Sequence, residues 1–199
     1  MTSTLDSLID REKNTFFRGA ASSEYEQKIL HADPLPSWYA VHVKSRHESV
    51  AAGGLQEKRI EAFLPVVKKT NQWKDRKKLI EYPLFPGYLF VRVIPSPDRF
   101  LAVLKTRGVL TFISLEPGIP TAVTSDEILA LQILMKSGRE INIYPHLKEG
   151  TPVRIKSGPL RNAEGILGTR EHEHFFQVNI SILGRSVGIT LSADEIEPI

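Results

Sequence analysis

Pro83-Leu84-Phe85-Pro86-Gly87-Tyr88-Leu89-Phe90-Val91 decides the reading of this chain, because a proline–glycine break leads directly into alternating aromatic and aliphatic residues. Pro86 fixes its own φ and offers no N–H to a ladder, and Gly87 permits a backbone conformation closed to other residues. The residues that follow then point alternately to opposite faces of a sheet. Tyr88 and Phe90 share one face, and Leu89 and Val91 the other. One face supplies a core. The rings on the second face are either core as well or a surface for a partner, and periodicity alone leaves both readings open.

Upstream, Trp38-Tyr39-Ala40-Val41-His42-Val43 has the aromatic and β-branched content of a buried strand. Ser45-x-x-Glu48 fits a capping box that opens a helix to about Arg59. Gly53 and Gly54 cost that helix about 1–2 kcal/mol relative to alanines, so a close approach or packing must compensate. Ile60 to Val67 and Leu79 to Leu84 read as two strands around a polar tip, a hairpin. Downstream, Ser96-Pro97 is a cap with proline at the first helical position, and Phe100, Val103 and Leu104 repeat at helical spacing. Val109 to Leu115 is a further strand. Thr124-x-x-Glu127 is a second capping box, ahead of the apolar stripe Ile128, Leu131 and Met135. The order β, α, β, β, β, α, β, α predicts an α+β domain over residues 37–138, an antiparallel sheet flanked by helices.

Residues 139–147 lack a pattern and read as a linker. From Lys148 the texture changes to short strands: Val153 to Lys156, Gly165 to Thr169, Phe175 to Ile182, Arg185 to Leu191, and a stub at Glu195-Ile196. About five short strands in so few residues predict a small β-barrel over residues 148–199. Residues 1–36 show no sustained period and end in Asp33-Pro34-Leu35-Pro36, as a flexible extension would.

Composition narrows the function. With 199 residues, 41% of them hydrophobic, the chain has material for a real core. The lack of cysteine excludes a disulfide framework, thiol catalysis and cysteine-based metal sites, and fits a reducing compartment. No apolar run approaches the roughly 20 residues that span a bilayer, and the first residues carry neither the basic flank nor the apolar core of a secretion signal. A soluble, cytoplasmic protein without membrane attachment is expected. The net charge of +3 is unevenly spread. Residues 1–37 hold four basic and six acidic side chains, residues 38–139 sixteen and nine, and residues 140–199 six and eight, for −2, +7 and −2. A basic middle between acidic ends is the pattern of a chain that meets a polyanion with one part only.

The cations cluster further. Lys68 to Lys78 holds six of them against one anion, around an indole. Lys74, Arg76, Lys77 and Lys78 can follow a phosphate backbone, and Trp73 can stack on an unpaired base or anchor the hairpin stem. Lys44, Arg46 and Arg107, at the ends of a strand and two helices, extend that surface if the fold brings those ends together. His172-Glu173-His174 offers two imidazoles where zinc needs three or four ligands, so neither metal nor cofactor is expected. There is no phosphate-cradling glycine loop, no Gly-x-Ser-x-Gly elbow and no nucleophile with an evident base, which argues against an enzyme.

Ser37 to Val41, Pro65, Pro83 to Val91, and Thr106-Arg107-Gly108-Val109 with Phe112 resemble the amino-terminal (NGN) domain of NusG-type transcription elongation factors. Gly150 to Leu160, followed by Gly165, resembles the KOW motif of their carboxy-terminal SH3-like β-barrel. Arg46-His47-Glu48 and Gln72-Trp73-x-Asp75-Arg76-Lys77-Lys78 are most similar to the specialised UpxY-type antiterminators, and Thr106 to Val109 is also similar to RfaH. The resemblance implies a non-enzymatic, monomeric factor that spans the RNA polymerase cleft and suppresses pausing or termination at specific operons. It implies an apolar face, His42, Tyr88, Phe90 and Leu115, on the clamp helices of the largest polymerase subunit. A second contact, with the second-largest subunit, falls at Arg99, Phe100 and Leu101. Lys44 and Arg107 match positions that face non-template DNA in RfaH, whose sequence-reading helix positions are occupied here by Gly54, Glu57 and Lys58. Arg46 and Lys58 join them as candidate contacts to non-template or upstream DNA. The barrel's implied partner is a small-subunit ribosomal protein or Rho. Two rival readings stand beside this one: a housekeeping NusG that assists Rho-dependent termination, and a nucleic-acid-binding protein that acts without polymerase.

Overall fold

The computed structural model describes residues 35–73, 76–116, 118–139, 141–145, 150–157, 160–170, 173–190 and 195–199. The expected extension, except its last two residues, lies outside them, as do Lys74 and His172. By internal packing the chain divides into two units, residues 35–64 with 85–122, and residues 65–84 with 123–199.

The first unit holds β1 (Ser37–Val43), α1 (Glu48–Glu57), β2 (Glu61–Phe63), β5 (Tyr88–Val93), α2 (Pro97–Leu104) and β6 (Val109–Phe112). Its strands lie antiparallel in the order β2-β5-β1-β6. Strand parity sets the core. Tyr39, Val41 and Val43 of β1 and Leu89, Val91 and Val93 of β5 bury one face beneath Ala51 and Leu55 of α1 and Phe100, Val103 and Leu104 of α2. The Tyr39, Phe100 and Phe112 rings meet edge to face there.

The helix starts follow the sequence unevenly. Ser96 Oγ accepts the Arg99 N–H at 3.3 Å and Pro97 opens α2, as the cap signal predicts. At α1 the expected capping box is not formed: His47 is the N-cap, makes no side-chain cap bond, and Glu48 is already helical. The glycine cost in α1 has a visible return at one position, since a Cβ on Gly54 would lie 2.9 Å from the Thr106 methyl at the end of α2.

The second unit contains β3 (Val66–Trp73) and β4 (Arg76–Pro83), β7 (Ala122–Val123) at its boundary, α3 (Ser125–Lys136) and the strands β8 (Asn142–Pro145), β9 (Thr151–Ile155), β10 (Glu164–Arg170), β11 (Glu173–Ile180), β12 (Arg185–Thr190) and β13 (Ile196–Pro198). The hairpin is longer than expected. β3 and β4 stay in register from Val66↔Pro83 to Trp73↔Arg76, so most of the cationic stretch is ladder rather than loop, because backbone pairing does not depend on apolar side chains. A Lys68–Glu81 ion pair of 3.5 Å spans the stem, and Leu84 N–H donates to Pro65 C=O at its base.

The last six strands form an antiparallel sheet in the order β13-β9-β10-β11-β12-β8 around Val153, Ile155, Phe176, Val178, Ile180, Val187 and Ile189, the small barrel that the strand spacing predicts. β8 corrects the linker reading: residues 142–145 pair with β12 and complete its hydrogen bonding. Helix α3 keeps its Thr124 cap, with Oγ1 accepting the Glu127 N–H at 3.3 Å, and it packs on β10 and β11. The Glu127 carboxylate accepts from Ser181 N–H and Oγ–H at 3.3 and 2.7 Å, and Arg139, just past the helix, pairs with Glu195. Among the described residues no helix is long and apolar enough to cross a membrane.

Candidate functional site

The site begins where three turns of the first unit meet. Phe85-Pro86-Gly87-Tyr88 closes with Tyr88 N–H donating to Phe85 C=O at 3.0 Å. Proline at its second position and glycine at φ +83° in its third are what a type II turn requires. Lys44-Ser45-Arg46-His47 closes in the same way, His47 N–H to Lys44 C=O at 2.9 Å, with Arg46 at φ +62°. The third turn carries Arg107 and Gly108, the glycine at φ +90° and so near α1 that a Cβ would lie 3.0 Å from the His47 Cβ.

Backbone hydrogen bonds join the three. Val43 N–H donates to Gly87 C=O at 2.8 Å, and Lys44 N–H to Gly108 C=O at 2.7 Å. Glu48 completes the junction. Its carboxylate, in a side chain only 7% exposed, accepts the Gly87 N–H at 2.9 Å. This explains the missing capping box: the acid that should turn back on its own helix holds a neighbouring turn instead. Lys44, Arg46 and Arg107, all exposed, are thereby brought together, which meets the condition that the sequence leaves open.

Beside these cations stand the rings. His42 and Tyr88 are register partners across β1 and β5, both half-buried, with centroids 5.2 Å apart and planes at 28°, a stacked pair. Rings of this kind join an apolar body to a polar tip and are common at interfaces, and here both are partly desolvated. Leu115 is 78% exposed, and its N–H donates to Thr121 Oγ1 at 2.9 Å.

Two expected contact residues are corrected. Phe90 shares the face of Tyr88 but is 0% exposed, stacked on Phe63 and edge-on to Phe85, so it is a core ring rather than a presented one. Phe100 is likewise 0% exposed, in the Tyr39 and Phe112 cluster, leaving Arg99 exposed and Leu101 half-buried on α2. Strand and helix period give the face of a residue and not what covers it.

Lys58 is engaged within the fold. Its ammonium donates to Ala102 C=O at 2.9 Å and Thr106 Oγ1 at 2.8 Å, closing the C-terminal end of α2. Desolvation, and secondarily the nearby Lys105 charge, hold its pKa below the ordinary lysine value. In the hairpin, Trp73 pairs with Arg76, Gln72 with Lys77 and Asn71 with Lys78. No group of three or more His, Asp or Glu side chains suited to a metal occurs among the described residues.

Comparison with known proteins gives this site its family. A family model described as "Transcription termination factor nusG" matches residues 36–132. The "Transcription termination/antitermination protein NusG" of Halalkalibacterium halodurans is 30% identical over 181 residues, 82% of this chain and 98% of that protein. The protein of the same name from Staphylococcus aureus is 31% identical over 176 residues, 81% and 95% of the two chains. A solved structure titled "Domain interaction in Thermotoga maritima NusG" aligns over 82% of this chain and 97% of its own, at 23% identity and a TM-score of 0.47. With the two curated relatives matched over nearly their whole length at 30% identity or better, the chain belongs to the NusG family.

Proposed function

We propose that the chain is a non-enzymatic transcription elongation and antitermination factor that docks on RNA polymerase through the His42–Tyr88 stack and Leu115. The observation that carries this reading is a half-exposed ring pair bonded through its backbone to turns that present Lys44, Arg46 and Arg107. Ring burial anchors the factor to the protein surface, and the adjoining cations hold the DNA that runs beside it. Bridging the polymerase cleft, with Arg99 and Leu101 toward the second-largest subunit, disfavours opening of the clamp. The carboxy-terminal barrel then recruits a ribosomal protein or Rho. Family membership and the relatives' paired names, termination and antitermination, support a role in elongation. The specialised, operon-specific form rests on the likeness of the Arg46 and Trp73 segments to UpxY-type factors.

The test is a double substitution, His42→Ala with Tyr88→Ala. We expect co-elution with purified polymerase to fall at least tenfold while the circular dichroism spectrum stays that of the parent and the variant remains folded at the assay temperature, its unfolding midpoint lowered by several degrees at most. Retained binding overturns the docking face. Transcription across a terminator then gives the direction of the effect: more read-through marks antitermination, and more release the Rho-assisting rival. Salt-steep binding to naked nucleic acid without polymerase co-elution favours the free-standing rival.

A further inference from the structure

At the other end of β1, away from the His42–Tyr88 stack, lies a cleft of about 310 Å³ with Arg59, Arg92 and Arg99 at its walls, Arg99 being shared with the proposed contact to the second-largest polymerase subunit. The three guanidinium groups come from three places in the chain: the residue after the Lys58 C-cap of α1, the end of β5, and the first turn of α2. One acid lines the same cleft, Glu61, which meets Arg92 at 3.5 Å and leaves the wall with two more positive than negative groups. Neither Arg59 nor Arg99 has an ion-pair partner among the described residues. The floor is aliphatic, Ile60 and Val93, with no ring on which a base can stack.

Two of these arginines sit where the fold alone does not favour them. Arg59 follows the C-terminus of α1, where Ile60 N–H bonds back to Leu55 C=O and the intervening residue takes φ +56°, a position that glycine usually fills. A long cationic side chain at a left-handed position gives up stability for a charge at the cleft mouth. Arg99 lies in the first turn of α2, at the positive end of the helix dipole, where an anion is favoured and a cation is not.

We propose that this cleft is a phosphate site, separate from the Lys44, Arg46 and Arg107 turns, that takes the oxyanion by its charge and tetrahedral shape without reading a base. A carboxylate is satisfied by a single planar fork. A phosphate presents oxygens in several directions and can accept from guanidinium groups that approach from different elements. The phosphate belongs either to a nucleic-acid backbone or to a small phosphorylated solute, and the experiment separates the two.

The full chain is compared with an Arg59→Gly, Arg99→Ala variant. Anisotropy of a labelled duplex is followed across a salt series, calorimetry is run with tripolyphosphate, and poly-glutamate serves as a carboxylate control. A backbone phosphate predicts that the variant binds the duplex at least tenfold more weakly, with the slope of log K against log salt reduced by about two. A small phosphorylated solute predicts loss of the tripolyphosphate heat with the duplex slope unchanged. In both cases Glu61→Gln tightens binding, and Arg59→Gly alone leaves the unfolding midpoint no lower than the parent's, so that lost binding is not lost folding. Equal binding by parent and variant in both assays overturns the proposal, as does poly-glutamate binding the parent as tightly as tripolyphosphate and weakening equally in the variant.

Discussion

The β1–β5 pair carries cations at both ends, about 20 Å apart at the usual rise per residue of a strand, and holds them in two different ways. At the Lys44 end, three turns are tied by backbone hydrogen bonds and one buried carboxylate, so the backbones that carry the cations and the ring stack are held to one another. At the Arg59 end, each guanidinium group arrives from a separate place in the chain and one ion pair of 3.5 Å joins two of the lining side chains. The first arrangement fixes a surface in advance, as docking on a large partner requires. The second leaves flexible side chains around an open cleft, which suits a small anion better than an extended interface. Between the two ends, Phe90 closes the same sheet face and presents nothing.

The largest effect expected is on that closed middle. Phe90→Ala should cost about 3–5 kcal/mol in urea unfolding, as loss of a fully buried ring does, whereas Tyr88→Ala, two residues away, should cost about 1 kcal/mol. Equal costs would erase the distinction between core ring and presented ring. A smaller effect is expected at the junction: Glu48→Ala should remove about 1–3 kcal/mol by leaving the Gly87 N–H unpaired, with Glu48→Gln recovering most of it. In amide spectra of both variants, Gly87 and Tyr88 should shift while Arg99 does not. Shifts at both ends would show that the ends are coupled.

The smallest effect is on pH dependence beneath the sheet. Burial raises the Tyr39 pKa above 10.0, and a hydrogen bond with Ser37 opposes this in part. The folded state therefore keeps a proton that the unfolded chain loses, so this contribution is complete below about pH 10 and declines as pH rises through the folded value. Unfolding at a series of alkaline pH values should show that decline in the parent and a weaker one in Tyr39→Phe.

Several of these features were legible in the sequence because they are local. The Pro86-Gly87 turn, the Ser96-Pro97 and Thr124 caps, and the strand parity of β1 and β5 each depend on residues a few positions apart. The convergence of Lys44, Arg46 and Arg107 was expected conditionally, and Gly108 is the signal that meets the condition, since only a residue without a side chain lets that turn approach α1. Strand β8 could not be read from its own residues, because the edge that it pairs with lies some 40 residues later.

The sequence by itself determined the capped or amphipathic helices α1, α2 and α3, the principal strands of each unit, the face on which each of their residues lies, and the family, because period and turn chemistry act over short stretches of chain. It did not determine the split of Ile60–Val67 into β2 and β3, or the strands β7 and β8. Only the tertiary structure decided that Phe90 and Phe100 are sealed while His42 and Tyr88 are not. It also assigned Glu48 to the Gly87 turn rather than its own helix, and gathered three arginines from three places in the chain around one cleft. Exposure and hydrogen-bond partnership depend on what packs against a residue, and that is set by contacts between distant segments, which no local pattern records.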